Sequence, residues 1–130
     1  MRGRDFQIPA QAQGVKGEVY LLHFDAPIGN ASNPLATAQH YTGWALDAQA
    51  RIAHHASGRS DARIMAYLVG TAGIGFRVAQ IWTEVDRFFE RKLKNRGSAA
   101  KYCPICRHKV SLASAPHFGP LPAPVAALAA

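Results

Sequence analysis

The sequence predicts an α+β fold in which a small, three-stranded, largely antiparallel sheet is flanked by helices. Two β-forming segments, residues 18–24 and 39–45, follow one another without a helix between them, as is typical of an antiparallel pair. Helical patterns and one further β-forming segment come next, and this order places helices against a sheet. A chain of 130 residues that is 48% hydrophobic can bury one such core.

The predicted strands are recognised by their β-formers and by the residues that bound them. Residues 18–24, EVYLLHF, lie between Gly17 and a run of Asp, Ala and Pro. Residues 25–38 are rich in Pro, Gly and Asn and are expected to form a loop. In the second strand, residues 39–45, a glycine indicates a bulge or a close backbone approach. Residues 75–85 alternate enough to form the third strand.

Three helices are predicted from capping residues and apolar spacing. The first covers residues 46–58 and has Asp47 as its N-cap. The second covers residues 60–73, and the third covers residues 86–97 and ends at Gly97. We expect the buried stripe of the first helix at Leu46, Ala50 and Ala53.

The chain divides into four parts by composition. Residues 1–16 are expected to be a flexible leader, and residues 17–97 the folded domain. Residues 98–110 carry a Cys-x-x-Cys motif, and residues 111–130, rich in Ala and Pro, are expected to be disordered. Because no signal peptide or membrane-spanning stretch is recognisable, we expect a cytoplasmic protein with no membrane partner.

The charge of the chain favours a polyanionic partner. The net charge is +7, the isoelectric point is about 9.9, and arginines outnumber lysines by ten to five. Guanidinium groups match phosphate in a bidentate manner, so this balance favours nucleic acid, with an anionic membrane surface or a merely soluble basic protein as alternatives.

Side chains suited to phosphate chemistry are predicted to converge near the first helix. Arg51 and His55 lie four residues apart on one helix face, and Arg51 points back towards the end of the strand that carries Tyr41. Tyr20 lies on the neighbouring strand. Glu90, on the third helix, is a carboxylate that could hold a hard cation such as Mg²⁺.

Each of these side chains also has a simpler interpretation. Strand tyrosines commonly pack in a core with their hydroxyl groups hydrogen-bonded. Arg51 could pair with Asp47, and Glu90 could pair with Lys94 one helical turn later. Composition and spacing alone therefore reach only a basic α+β domain with a candidate phosphate site.

The arrangement resembles the GIY-YIG nuclease superfamily over about residues 17–96. EVYLLHF takes the place of the Gly-Ile-Tyr strand, with Tyr20 as its tyrosine, and HYTGWA takes the place of the Tyr-Ile-Gly strand, with Tyr41. ARIAHH supplies the helix arginine Arg51 and His55, and RFFERKLK supplies the metal-binding Glu90. The first motif lacks the family glycine, and the second has threonine in place of isoleucine.

This resemblance implies a metal-dependent endonuclease that hydrolyses phosphodiester bonds in DNA with Mg²⁺ or Mn²⁺. Tyr20 or Tyr41 would activate or position the attacking water, which requires a lowered tyrosine pKa that Arg51 could supply. Arg51 would stabilise charge on the phosphoryl oxygens, and Glu90 would hold the metal ion. His55 and His40 are further candidates for positioning the phosphate or relaying protons.

Backbone phosphates would be contacted by basic side chains around the site. The candidates are Arg59, Arg63, Arg77, Arg87 and Lys94. The alternative to an enzyme is a non-catalytic nucleic-acid-binding protein that uses the same fold or a zinc knuckle.

The Cys-x-x-Cys motif, Cys103 and Cys106, is half of a tetrahedral zinc site. His108 and His117 could complete it, in which case the zinc ion would be structural. The default expectation is a vestigial knuckle with reduced thiols and no metal. A redox-active pair is the other alternative, although the strand-to-helix context of thioredoxin-like motifs is absent.

Overall fold

The computed structural model describes residues 14–30 and 33–120 of the chain. In chain order the elements are strand β1 (Gly17–Asn30), strand β2 (Asn33–Ala45), helix α1 (Ala48–Ala56), helix α2 (Arg63–Met65), strand β3 (Phe76–Val85), helix α3 (Arg87–Lys94) and strand β4 (His117–Phe118). Helix α2 continues as a π-helix over Ala66–Thr71, and short 3₁₀ turns occur at Ala99–Lys101 and Leu112–Ser114. The predicted α+β class is confirmed.

The sheet has four antiparallel strands in the order β2-β1-β3-β4, one strand more than predicted. The additional strand, β4, pairs with the start of β3, and Phe118 stacks on Phe76 with 5.9 Å between ring centroids. It lies in the region that was expected to be disordered, of which residues 111–120 are described. A two-residue strand carries no periodic signal, so the sequence could not reveal it. Residues 1–13 of the predicted leader and 121–130 of the tail lie outside the described residues.

The predicted loop at residues 25–38 is wrong for the residues that the structure describes, because β1 continues to Asn30 and β2 begins at Asn33, and the two strands pair as a long hairpin. Tyr20 pairs with Gly43 and His23 with His40 in regular register, and a shift then follows before Ile28. The irregular stretch contains a proline, which has no N–H to donate to a strand ladder. The hairpin therefore accommodates loop-like residues as a bulge.

Alternation along β1 divides the hydrophobic side chains between the two faces of the sheet. Tyr20, Leu22 and Phe24 join the larger core beneath the helices, together with Ile52 and Met65. The opposite face carries a smaller core, formed by Leu21, Ala79, Cys103, Ile105 and Ala115. The central strand β1 is thus covered on both sides.

The face that α1 buries differs from the prediction. Leu46 is 68% exposed and precedes the helix, and Ala50 and Ala53 are also exposed. The buried positions are Ala48, Ile52 and His55, which share one helix face.

The predicted cap is correct, because the Asp47 carboxylate accepts a hydrogen bond from the N–H of Ala50 at 3.2 Å. The carboxylate of Glu18 accepts a bond from the N–H of Ala48 at 2.8 Å and helps to set the rotation of the helix.

Among the described residues, no helix has both the length and the apolar character needed to cross a bilayer. The cytoplasmic location stays a prediction.

Candidate active site and candidate metal centre

Two adjacent residues of β2, His40 and Tyr41, contribute to clusters on opposite faces of the sheet. Tyr41 packs against the larger core, where its ring lies 5.4 Å from that of His55 between centroids. His40 faces His23 of β1, with 5.0 Å between ring centroids. Successive side chains of a strand point to opposite faces. The hairpin therefore carries a polar site, formed around Tyr20, Tyr41 and His55, on one face. A site that contains cysteines and histidines lies on the other face.

Tyr20 lies at the centre of the polar site and fits because its cross-strand partner is a glycine. A Cβ atom added at Gly43 would lie only 2.5 Å from Cζ of Tyr20 and closer still to its hydroxyl oxygen. The glycine predicted to mark a close approach thus gives the Tyr20 ring its place across the hairpin. The ring is 1% exposed.

The Tyr20 hydroxyl begins a short hydrogen-bonded chain. It lies 2.8 Å from Nε2 of His55, and Nδ1 of His55 lies 2.7 Å from Oγ of Ser60. Ser60 Oγ also accepts a hydrogen bond from the N–H of Ala62 at 3.0 Å. His55 and Ser60 are buried. Such a chain can move a proton away from the Tyr20 oxygen.

Arg51 interacts with the Tyr20 hydroxyl and also forms an ion pair with Asp61. The guanidinium–carboxylate distance is 2.6 Å, and the Asp61 side chain is 78% exposed. This partner replaces Asp47, the partner considered from the sequence, because Asp47 caps the helix instead. One guanidinium thus bridges the buried phenol and the protein surface.

Glu90 of α3 reaches the same region. Its carboxylate is close enough for its charge to act on both Tyr41 and Tyr20. It also pairs with Lys94 at 3.1 Å, as the simpler interpretation anticipated, and the Lys94 ammonium lies 6.0 Å from the centre of the Tyr41 ring. The structure therefore brings together all five predicted catalytic residues, namely Tyr20, Tyr41, Arg51, His55 and Glu90.

The expected lowering of a tyrosine pKa is wrong for this structure. Burial raises the pKa of Tyr20, with a further rise from Tyr41, and these effects outweigh the interaction with Arg51. Burial and then the charge of Glu90 raise the pKa of Tyr41. Desolvation disfavours the phenolate more than one guanidinium favours it. Both phenols are therefore neutral hydrogen-bonding groups at pH 7.

His55 is neutral as well. Burial lowers its pKa to about 4, and the positive charge of Arg51 acts in the same direction. A neutral imidazole has one N–H and one unprotonated nitrogen. His55 can therefore accept a proton from Tyr20 while it donates to Ser60, or the reverse.

The five predicted phosphate-contacting cations differ in their surroundings. Arg59 and Arg63 are exposed. Arg77 donates to the carbonyl of Ala115 at 3.1 Å, and the Arg87 guanidinium lies 4.6 Å from the centre of the Trp44 ring. Lys94, paired with Glu90, lines an open depression of about 250 Å³ together with Tyr41 and Tyr102. This depression gives solvent access next to Tyr41.

On the opposite face of the sheet, four side chains bring their ligand atoms within 4.8 Å of one another. Nδ1 of His23 and Nε2 of His40 are 3.2 Å apart. Sγ of Cys106 lies 3.3 Å from His40 and 3.7 Å from His23, and Sγ of Cys103 lies 3.8 Å from His23. This group, the Cys/His cluster, could hold a metal ion.

The Cys/His cluster contains the predicted Cys103 and Cys106 but not His108. His108 is exposed and has a left-handed backbone with φ of 59°. His117 instead binds the Asp25 carboxylate at 2.7 Å. Both cysteines are free thiols. Burial raises the pKa of Cys106 to about 11, with Cys103 adding to the rise.

The two histidine ligand candidates, His23 and His40, were not identified from the sequence as a pair. Their pairing depends on the register of the hairpin, and the apparent loop between the strands concealed that register. The available signal was the presence of a histidine on each of two adjacent strands, upstream of the Cys-x-x-Cys motif. Ser60 and Asp61, which bind His55 and Arg51, were likewise absent from the predicted site.

No family model matches the chain, and no curated protein or solved structure is significantly similar to it.

Proposed function

We propose that this protein is a metal-dependent endonuclease of the GIY-YIG type that hydrolyses phosphodiester bonds in DNA. One observation carries the proposal: two tyrosines, an arginine, a histidine and a glutamate from four different elements lie close to one another, and they are the residues that the family motifs select. One of them, Tyr41, lines an open depression. The net charge of +7 suits a polyanionic substrate.

In the proposed reaction Tyr20 and His55 act together as the general base. Tyr20 is 1% exposed in the free protein, so this step requires the substrate phosphate to draw Arg51 away from the Tyr20 hydroxyl and admit the water. The attacking water then forms a bond to phosphorus and gives its proton to the Tyr20 oxygen, while the Tyr20 proton passes to Nε2 of His55 across their 2.8 Å contact. This transfer uses the His55 tautomer that carries hydrogen on Nδ1 and donates to Ser60. The phosphorus–oxygen bond opposite the water breaks, and the leaving oxygen takes up a proton from solvent.

This proton relay from water through Tyr20 to His55 requires no free phenolate, which the raised pKa of Tyr20 disfavours. Arg51 lowers the basicity of His55 in the free protein, because its positive charge opposes protonation. A bound phosphate would neutralise that charge and make His55 a better proton acceptor. Arg51 would then also stabilise the negative charge that develops on the phosphoryl oxygens.

Glu90 is the residue that fits the metal ion of such an enzyme. Mg²⁺ is often held by one or two carboxylates together with water and substrate phosphate, so a single carboxylate beside the tyrosines suffices. The Glu90 side chain is 16% exposed, and its partner Lys94 lies on the adjacent helical turn, where it can turn away into solvent. When bound, Mg²⁺ or Mn²⁺ would polarise the phosphate and stabilise the leaving oxygen.

The Cys/His cluster does not suit Mg²⁺, because thiol and imidazole ligands select softer ions. The Cys/His cluster is therefore separate from the proposed site of the catalytic metal.

Cleavage of supercoiled plasmid tests the proposal. We expect nicking with Mg²⁺, none with EDTA, and loss of nicking in both Glu90→Gln and Arg51→Ala. The matched control is Glu84→Gln, which changes an exposed carboxylate at the end of β3 and should retain activity. Salt-sensitive DNA binding without cleavage under any metal condition would overturn the enzyme and favour a non-catalytic binding protein.

A further inference from the structure

The Cys/His cluster has the geometry of a single tetrahedral ion. In a tetrahedral zinc site with Zn–S of about 2.3 Å and Zn–N of about 2.0 Å, ligand atoms lie roughly 3.3 to 3.8 Å apart. The four measured nitrogen–nitrogen and sulphur–nitrogen separations run from 3.2 to 3.8 Å. The two remaining separations, from Cys103 to His40 and to Cys106, are within 4.8 Å, so one ion at the centre would lie near all four ligand atoms.

The ligands come from three separated parts of the chain. His23 lies on the central strand β1, His40 lies opposite it on the edge strand β2, and Cys103 and Cys106 lie in the segment after α3. Cys103 is fully buried, and the neighbouring Ile105 is 8% exposed in the smaller core. The cysteine pair is therefore already seated against the strands that carry the histidines.

A two-iron cluster with the same ligand types does not fit. In such a cluster the cysteine pair and the histidine pair bind different iron atoms, which separates the two pairs. Here Cys106 contacts both imidazoles, and Cys103 contacts His23. Two thiolates and one Zn²⁺ would also sum to no net charge, which suits a site that is largely buried.

We propose that His23, His40, Cys103 and Cys106 bind one structural zinc ion that fastens the segment of residues 98–110 onto the β1–β2 hairpin. Four protein ligands close the coordination sphere, as in structural rather than catalytic zinc sites. This inference is independent of the proposed nuclease activity, because metal content and segment stability can be measured without cleavage.

The ion is expected to matter most for residues 98–110, because the chain beyond them has other attachments. The Pro116 carbonyl accepts a bond from the N–H of Val78 at 2.9 Å, and His117 binds Asp25 at 2.7 Å. Within the described part of the hairpin, the side-chain hydrogen bond to residues 98–110 outside the cluster is a 3.3 Å contact between Tyr102 and Thr42. Removal of zinc should therefore release this segment before the rest of the sheet.

Metal analysis of the purified full-length chain is the first test. We expect one zinc ion per chain, and Cys106→Ser and His40→Asn should each abolish stoichiometric binding. His108→Asn is the matched control, since His108 is next to the motif but outside the cluster, and it should retain zinc. Iron in place of zinc, a Cys103–Cys106 disulfide without metal, or zinc loss in the control would each overturn the assignment.

Two measurements on the wild-type protein test the site even if a ligand variant does not fold. Substitution with Co²⁺ should give the absorption of a tetrahedral ion with thiolate-to-metal charge transfer, and an octahedral spectrum would contradict the site. Chelation of zinc should then speed trypsin cleavage at the exposed Lys101, Arg107 and Lys109 by at least tenfold. Equal cleavage rates with and without zinc would rule out the fastening role.

Discussion

The ring of Tyr20 lies directly against the backbone of Gly43, its partner across the β1–β2 hairpin. No side chain larger than hydrogen fits between them, because a Cβ at Gly43 would overlap the phenol. The same contact holds the Tyr20 hydroxyl at 2.8 Å from His55. The glycine therefore determines where the central group of the polar site can lie.

Gly43→Ala is expected to displace Tyr20 and to destabilise the protein by about 1–3 kcal/mol, the usual cost of overpacking a core. Urea unfolding followed by Trp fluorescence measures the change. Gly29→Ala is the matched control, because it lies on the same hairpin with no atom within 4 Å of an added Cβ. Equal loss of stability in the two variants would contradict the role assigned to the Tyr20 contact.

Tyr20→Phe keeps the ring and removes the hydroxyl that contacts His55. If the relay operates, cleavage should fall by roughly 10²- to 10⁴-fold, the usual contribution of general acid–base catalysis. Stability should fall by only about 1 kcal/mol, the usual value of one hydrogen bond. Tyr67→Phe, at an exposed tyrosine on the π-helix, should leave cleavage unchanged. Full activity in Tyr20→Phe would exclude the relay.

The buried His55 should make stability depend on pH in acid. Its pKa is lowered to about 4 from 6.5, so the unfolded state binds more protons between these values. The stabilising contribution is complete above about pH 6.5 and is lost as the pH falls towards 4, by up to about 1.4 kcal/mol per pH unit. In His55→Gln this part of the dependence of the unfolding free energy on pH should disappear.

Urea titrations at several pH values measure the slope of the unfolding free energy against pH in the wild type and in His55→Gln. The difference between the two isolates His55 from the other histidines. His54→Gln is the control, since it replaces the exposed neighbour and leaves His55 in place. A slope in His55→Gln equal to that of the wild type would show that His55 does not titrate as its burial implies.

Much of the polar site was predictable because it depends on helical spacing. Arg51 and His55 are four residues apart, and the capped start of α1 follows the strand that carries Tyr41, so their convergence follows from local geometry. Glu90 sits one turn into α3, whose N-cap Asp86 accepts a hydrogen bond from the N–H of Phe89 at 3.1 Å.

The metal centre was only half predictable because it depends on strand register. The Cys-x-x-Cys spacing is local and visible in the sequence, whereas the pairing of His23 with His40 arises from the hairpin. The bulge after His23 has the composition of a loop, and it concealed the continuation of the strands. Burial was also invisible in the sequence, and it reverses the expected direction of the pKa of Tyr20.

The surroundings of the arginines predict which of them contact DNA phosphates. Arg59 and Arg63 are exposed, whereas Arg87 is engaged with the Trp44 ring. Each phosphate contact contributes about 0.9 to the slope of log K against log salt. Replacement of Arg59 and Arg63 by Gln should therefore reduce the magnitude of this slope by up to about 1.8, and Arg87→Gln should leave it unchanged. Fluorescence anisotropy with a labelled duplex between low and moderate salt measures the slopes. A reduced slope in Arg87→Gln with none in the double variant would place the DNA at the start of α3 and not at Arg59 and Arg63.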